Sequence, residues 1–301
     1  QMGRSPFARR TPFEARFTEV FGLRLRYIDL RPKEEEGPPL LLLHGHASRI
    51  EEYDDLVPHL LSGRRIIVFD LPGCGFSDKP DDRSYTLEFY QDVTLALLEH
   101  LGIRWGDVGG GSLGGNLTLR LAAREPERFR RLVAWAPAGA WKPMWHWVLV
   151  AAFLRRFPSL FWPAIWIQSR FWYSRDWAGR EEALKDAFRY YREVFCPGFF
   201  RMYCEVGQDQ ARTSLFDITA KIRQPVLLAW GDRDHALGMG KGVRLLHERL
   251  PYSRLHIFPN ASHSLANERP RELAAAIDQF LREPDPVTRA SFLDQHNQAE
   301  R

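Results

Sequence analysis

Short runs of wholly apolar residues recur along the chain, separated by stretches whose apolar positions fall three and four apart. Leu40–Leu43 is four leucines ending abruptly at His44-Gly45, and Ile66–Phe69 repeats the pattern and ends at Asp70. Runs this short, bounded by turn residues and apolar on both faces, predict strands buried on both sides in a parallel sheet. Residues 132–135, 226–229 and 255–258 read as later strands of the same kind. Residues 51–61 and 86–101 supply amphipathic helices between them, and 117–124 a third. Two β-rich runs, 17–21 and 23–30, open the ordered part with Gly22 as a turn between them. The expectation is an α/β fold with a mostly parallel central sheet flanked by helices.

The alternation stops between Trp141 and Lys221. That stretch has no strand-like run, yet it carries seven of the ten tryptophans, including Trp141, Trp145 and Trp147 beside His146. Pro143, Pro158 and Pro163 cut it into short helices. A helical, tryptophan-rich cap inserted between two strands is expected. The domain reading is a core over 15–140 and 222–282, an insertion over 141–221, and a polar tail over 283–301.

Composition narrows the class of partner. With 42 basic and 38 acidic residues in 301, the net charge of +4 carries no basic stripe, so nucleic acid is not expected as a partner. Cys74, Cys196 and Cys204 cannot all pair and have no metal-ligand spacing, which points to a reducing compartment and no metal. No secretory signal is visible at the start. Arg155-Arg156 interrupts the most apolar stretch before it reaches the ~18 residues of a membrane span. A cytoplasmic protein is expected.

The candidate chemistry centres on Gly110-Gly111-Ser112-Leu113-Gly114, a G-x-S-x-G turn from strand to helix that would project the serine hydroxyl into an open site. The same glycines fit a dinucleotide fingerprint, but the following strand ends Ala134-Trp135-Ala136-Pro137 without the carboxylate that would hold a ribose. A serine nucleophile needs a base, and the base an orienting carboxylate. His263 follows the last predicted strand, and Asp232 and Asp234 follow the strand before it. The other histidines have no zinc-type spacing. Gly238-x-Gly240-x-Gly242 lacks the ending of a phosphate loop and reads as a flexible loop.

Taken in order, five pieces resemble the α/β-hydrolase superfamily of esterases, lipases and epoxide hydrolases over residues 15 to 282. They are His44-Gly45, Asp70-Leu71-Pro72-Gly73-Cys74-Gly75-Phe76-Ser77, the serine turn, Trp230-Gly231-x-x-Asp234, and His263 with Glu268-x-Pro270. The resemblance implies Ser112 as nucleophile, His263 as base and Asp234, rather than Asp232, as the acid. It implies the backbone N–H groups of His46 and Leu113 as oxyanion donors, with His44 holding its loop in shape. A serine at this position departs from dehalogenases and epoxide hydrolases, which use aspartate. Gly111 also departs from the larger residue usual before the nucleophile, which suggests a missing wall beside the serine.

The function implied is hydrolysis of carboxylic esters with apolar acyl or aromatic groups, without cofactor. Carbon–carbon hydrolysis of vinylogous diketones and a slow-turnover ligand receptor are the alternatives on the same scaffold. Gly111, Trp141, Trp145 and His146 are the substrate-binding candidates. Part of the aromatic insertion is expected to receive the apolar group, and Arg155 and Arg156 would allow weak peripheral contact with a membrane.

Overall fold

The computed structural model describes residues 8–60, 63–235 and 239–284. Its centre is one eight-stranded sheet in the order β1-β2-β4-β3-β5-β6-β7-β8. The strands are β1 Arg16–Val20, β2 Leu23–Leu30, β3 Leu40–Leu43, β4 Ile66–Phe69, β5 Gly106–Gly111, β6 Phe129–Trp135, β7 Val226–Gly231 and β8 Ser253–Phe258. From β4 to β8 every pairing is parallel, while β1 and β2 add an antiparallel edge. The β1–β2 connection is two residues long, Phe21 and Gly22, both at positive φ. That backbone twist matches the flanking strands, and Gly22 adopts it without a steric penalty.

Alternate residues of the inner strands feed two cores. Leu41, Leu43, Ile67 and Phe69 pack on one face with α1 (Leu87–His100) and α2 (Leu113–Arg124). Leu40, Leu42, Ile66 and Val68 pack on the other with α9 (Pro270–Arg282). Burial on both faces is why these strands lack polar alternation. Thr86 caps α1, its hydroxyl accepting from the Phe89 N–H at 3.0 Å.

Two expectations are corrected. The helix expected over 51–61 does not form among the described residues, 51–60: 3₁₀ turns occupy Ile50–Tyr53 and Val57–His59. The local reason is that Ile50, Glu51 and Tyr53 are all buried, so no amphipathic face exists, and Pro58 cannot donate to a helical ladder. Gly240 and Gly242 lie in a helix, α7 (Met239–Arg249), rather than a loop. A Cβ at Gly242 would sit 1.8 Å from the Ala140 carbonyl oxygen, so this glycine serves helix packing. Gly238 and the tail from residue 285 lie outside the described residues.

Between β6 and β7 the chain forms α3 (Trp145–Arg156), α4 (Phe161–Ser169), α5 (Arg180–Val194) and α6 (Pro197–Arg212) and no strand. Phe161 is its internal hub, with the rings of Trp162, Tyr191, Phe195, Phe199, Phe200 and Tyr203 around it. Among the described residues no single helix is long and apolar enough to cross a membrane.

Candidate active site

Parallel strands deliver their C-terminal ends to one edge of the sheet, and the predicted residues gather there. Ser112 follows β5 at φ 53° and ψ −114°, a strained conformation for a residue with a Cβ. The strain is held by neighbours: the Ser112 N–H donates to the Trp135 carbonyl at 3.0 Å, and the Ser112 carbonyl accepts from Asn116 and Ala138, both at 3.0 Å. Helix α2 begins at once, so the Leu113 N–H lies in a first turn where no intrahelical acceptor exists. Close packing makes the turn possible, since a Cβ on Gly114 would fall 1.7 Å from the Leu43 carbonyl oxygen.

The loop after β3 lies beside the serine. A Cβ at Gly45 would stand 3.7 Å from that of Ser112. His44, fully buried, shapes this loop by bonding in two directions: its Nδ1 meets the Gly45 carbonyl at 2.8 Å, and its Nε2 accepts from the Leu71 N–H at 2.9 Å. This assigns the proton to Nδ1. Burial lowers the His44 pKa to about 4, so it stays neutral and structural. Burial also lowers His46 to about 4, and its ring stacks on Tyr203 with centroids 4.9 Å apart.

His263 Nδ1 lies 2.9 Å from Asp234 Oδ2, with the carboxylate fully buried. Asp232, two residues earlier, is exposed. Burial alone would lower the His263 pKa; the Asp234 carboxylate outweighs it, Glu52 and Glu268 add to that, and the net shift is upward. Ser112, His263 and His46 line one cavity of about 810 Å³.

Other candidates fall elsewhere. Gly111 is buried behind the serine: a Cβ there would meet the Trp135 indole Nε1 at 2.3 Å, and the Gly111 N–H donates to the Tyr53 hydroxyl at 3.2 Å. The space left by the missing side chain is filled by Trp135, which corrects the expectation of an absent wall. Trp141 is half-buried and bonds the Gln210 carbonyl through its indole N–H at 3.2 Å. Trp145 and His146 are exposed on α3. None of these four lines the cavity; Trp172 and Trp177 of the insertion do.

The sequence reading missed Glu52. It lines the cavity with Ser112 and His263, and its Oε2 accepts from the Gly45 N–H at 2.9 Å. Burial raises its pKa. Its place in an assumed helix concealed it. Glu268 was noted only as part of a motif, yet its Oε1 accepts from the N–H groups of Ser174 and Ser262, both at 3.2 Å. With the Ser264 N–H donating to the Trp172 carbonyl at 3.0 Å, it ties the insertion to the histidine loop.

The arrangement can be compared with known proteins. A profile of the alpha/beta hydrolase fold matches residues 38–270. The chain belongs to this family. It is 29% identical to a 2-hydroxymuconate semialdehyde hydrolase of Pseudomonas putida, over 84% of this chain and 90% of the relative. It is 28% identical to a cis-3-alkyl-4-alkyloxetan-2-one decarboxylase of Shewanella oneidensis, over 96% and 98%. The enol-lactonase of Burkholderia xenovorans shares the fold, with a TM-score of 0.77 at 23% identity over 89% of this chain and all of that one. As a family member with such relatives, the chain is a hydrolase of this fold.

Proposed function

We propose that this hydrolase cleaves carboxylic esters of apolar acyl or aromatic groups through an acyl-enzyme on Ser112. The observation that carries the reading is the His263–Asp234 pair at 2.9 Å, opening into the same cavity as Ser112 on its strained turn. Ser112 Oγ attacks the carbonyl carbon while His263 Nε2 takes its proton; Asp234 holds Nδ1–H and stabilises the imidazolium. The carbonyl oxygen, now an oxyanion, accepts from the His46 and Leu113 N–H groups, each donor contributing about 3 kcal/mol in the transition state. The tetrahedral intermediate collapses, the leaving alkoxide takes the proton from His263, and water repeats the cycle to free the acid and restore Ser112. Helices α3–α6 act as the cap, with Trp172 and Trp177 as its contribution to the pocket.

A second reading, carbon–carbon bond hydrolysis on the same scaffold, is supported by the likeness to the Pseudomonas putida relative named as a 2-hydroxymuconate semialdehyde hydrolase. The same serine, base and oxyanion donors would serve it. The two separate in one assay set. Ester hydrolysis predicts that kcat/KM climbs from p-nitrophenyl acetate to medium-chain esters, at about 0.8 kcal/mol per buried methylene. No turnover of any ester, with rapid turnover of a 2-hydroxymuconate semialdehyde, would transfer the assignment to carbon–carbon hydrolysis.

A further inference from the structure

The outer side of the insertion breaks the usual order of a surface. On α3, Trp145, Leu149 and Phe153 are 65%, 71% and 57% exposed. They stand four residues apart, so they form one stripe on one face of the helix. On α4, Trp166 and Ile167 are 53% and 55% exposed. Monomeric proteins scatter such residues singly, and an exposed apolar row like that on α3 marks a surface that something covers.

The charges around the patch point to what covers it. From Lys142 to Arg175 the chain holds five basic residues and no acidic one; acids resume only at Asp176. Arg170 lies over the Trp166 ring at 3.9 Å and Arg156 over Phe157 at 5.6 Å, so a cation stacks on an exposed ring on each helix, while Arg155 is paired with Glu205 at 2.9 Å. A second copy meeting this face would bring two cationic rims together, which like-charge repulsion disfavours. An anionic lipid surface offers hydrocarbon to the stripe and negative headgroups to its rim. Helices α3 and α4 pass as a membrane-like segment only when taken together, and they are bent by 114° between them. Helix α3 has 12 residues, about 18 Å of rise against the ~30 Å of a hydrocarbon core, so it can lie on a bilayer but not cross it.

We propose that the Trp145–Ile167 face of the insertion docks this hydrolase on an anionic bilayer, with its helices flat in the headgroup region. The same α4 that shows Trp166 and Ile167 outward contributes Ile165 to the wall of the cavity that Ser112 also lines. A lipid-dissolved substrate therefore has the candidate site one helix thickness from the bilayer. Docking itself does not depend on the ester reading.

The test is co-sedimentation of the full chain with vesicles of phosphatidylcholine, alone or with a third phosphatidylglycerol. The expected result is binding to the mixed vesicles and little to phosphatidylcholine alone. The double variant L149S/F153S should lower the partition coefficient about tenfold, through lost apolar burial. The variant R156E/R170E should lower it only on vesicles with phosphatidylglycerol. All four side chains are exposed, and an unchanged melting temperature in each variant shows that folding is not what was lost. Binding is read without turnover, so failure of the ester reading would leave it intact. The inference is overturned if the wild type stays in the supernatant at every lipid composition. It is equally overturned if L149S/F153S binds like wild type, or if the patch proves to be a dimer interface that those substitutions dissolve.

Discussion

The sheet's C-terminal edge and the inserted helices treat their aromatic residues in opposite ways. At the edge, Trp135 is 1% exposed and fills the space a side chain at Gly111 would need, while Tyr53 packs edge-on against it with centroids 5.5 Å apart and donates to the Leu43 carbonyl at 2.6 Å. In the insertion, Trp145, Trp147 and Trp166 face outward. One region uses aromatics to fix a backbone that must hold Ser112 at positive φ. The other buries a small aromatic hub around Phe161, lines the cavity with Trp172 and Trp177, and leaves Trp145, Trp147 and Trp166 exposed. The rigidity of a site and the breadth of a surface thus come from the same residue type, placed differently.

That contrast can be broken in order of expected effect. At the edge, Asp234→Asn should lower kcat/KM by about three to four decades with the melting temperature little changed, because the His263 tautomer is lost rather than the fold. Asp232→Asn should stay near wild type. A reversal of the two, read by steady-state kinetics, would misplace the acid. Next, Gly111→Ala should cost about 1–3 kcal/mol of stability in denaturant titration, since its Cβ must displace the Trp135 indole. In the insertion, Trp147→Ala should remain within about 0.5 kcal/mol. Equal losses at the two positions would erase the distinction.

The smallest effect lies where the regions meet. His263 must be neutral to accept a proton, and its pKa is raised, so activity should rise with pH through a value above the ordinary 6.5 of histidine. The groups facing it are Asp234, Glu52 and Glu268. Glu52→Gln keeps an acceptor for the Gly45 N–H but removes one negative charge, so the acidic limb should move to lower pH. A limb that moves upward, or stays where it was, would show that Glu52 serves only to hold the loop.

Much of this site was legible because parallel strands impose order. A residue just after an apolar run must sit at the same sheet edge as its counterparts, so Ser112, His263 and the pair Asp232 and Asp234 could be placed together without coordinates, and the family resemblance singled out Asp234. Legibility failed where burial, not periodicity, decided structure. Residues 51–61 read as a helix because their apolar positions fall three and four apart, but Glu51 is buried on Arg26, its Oε1 2.6 Å from the guanidinium Nη2. Its neighbour Glu52 was hidden by the same misreading. The insertion failed differently. Composition announced an aromatic surface, yet nothing in the spacing told inward tryptophans from outward ones, and Trp141, Trp145 and His146 were nominated where Trp172 and Trp177 line the cavity.

The central claim is that Ser112 is the nucleophile, and covalent labelling tests it most directly. Wild-type protein treated with a serine-directed fluorophosphonate should gain one adduct, located by peptide mass mapping on Ser112. The adduct should be absent from Ser112→Ala and much slower to form in Asp234→Asn. An adduct on any other residue, or none while ester turnover proceeds, would contradict the account.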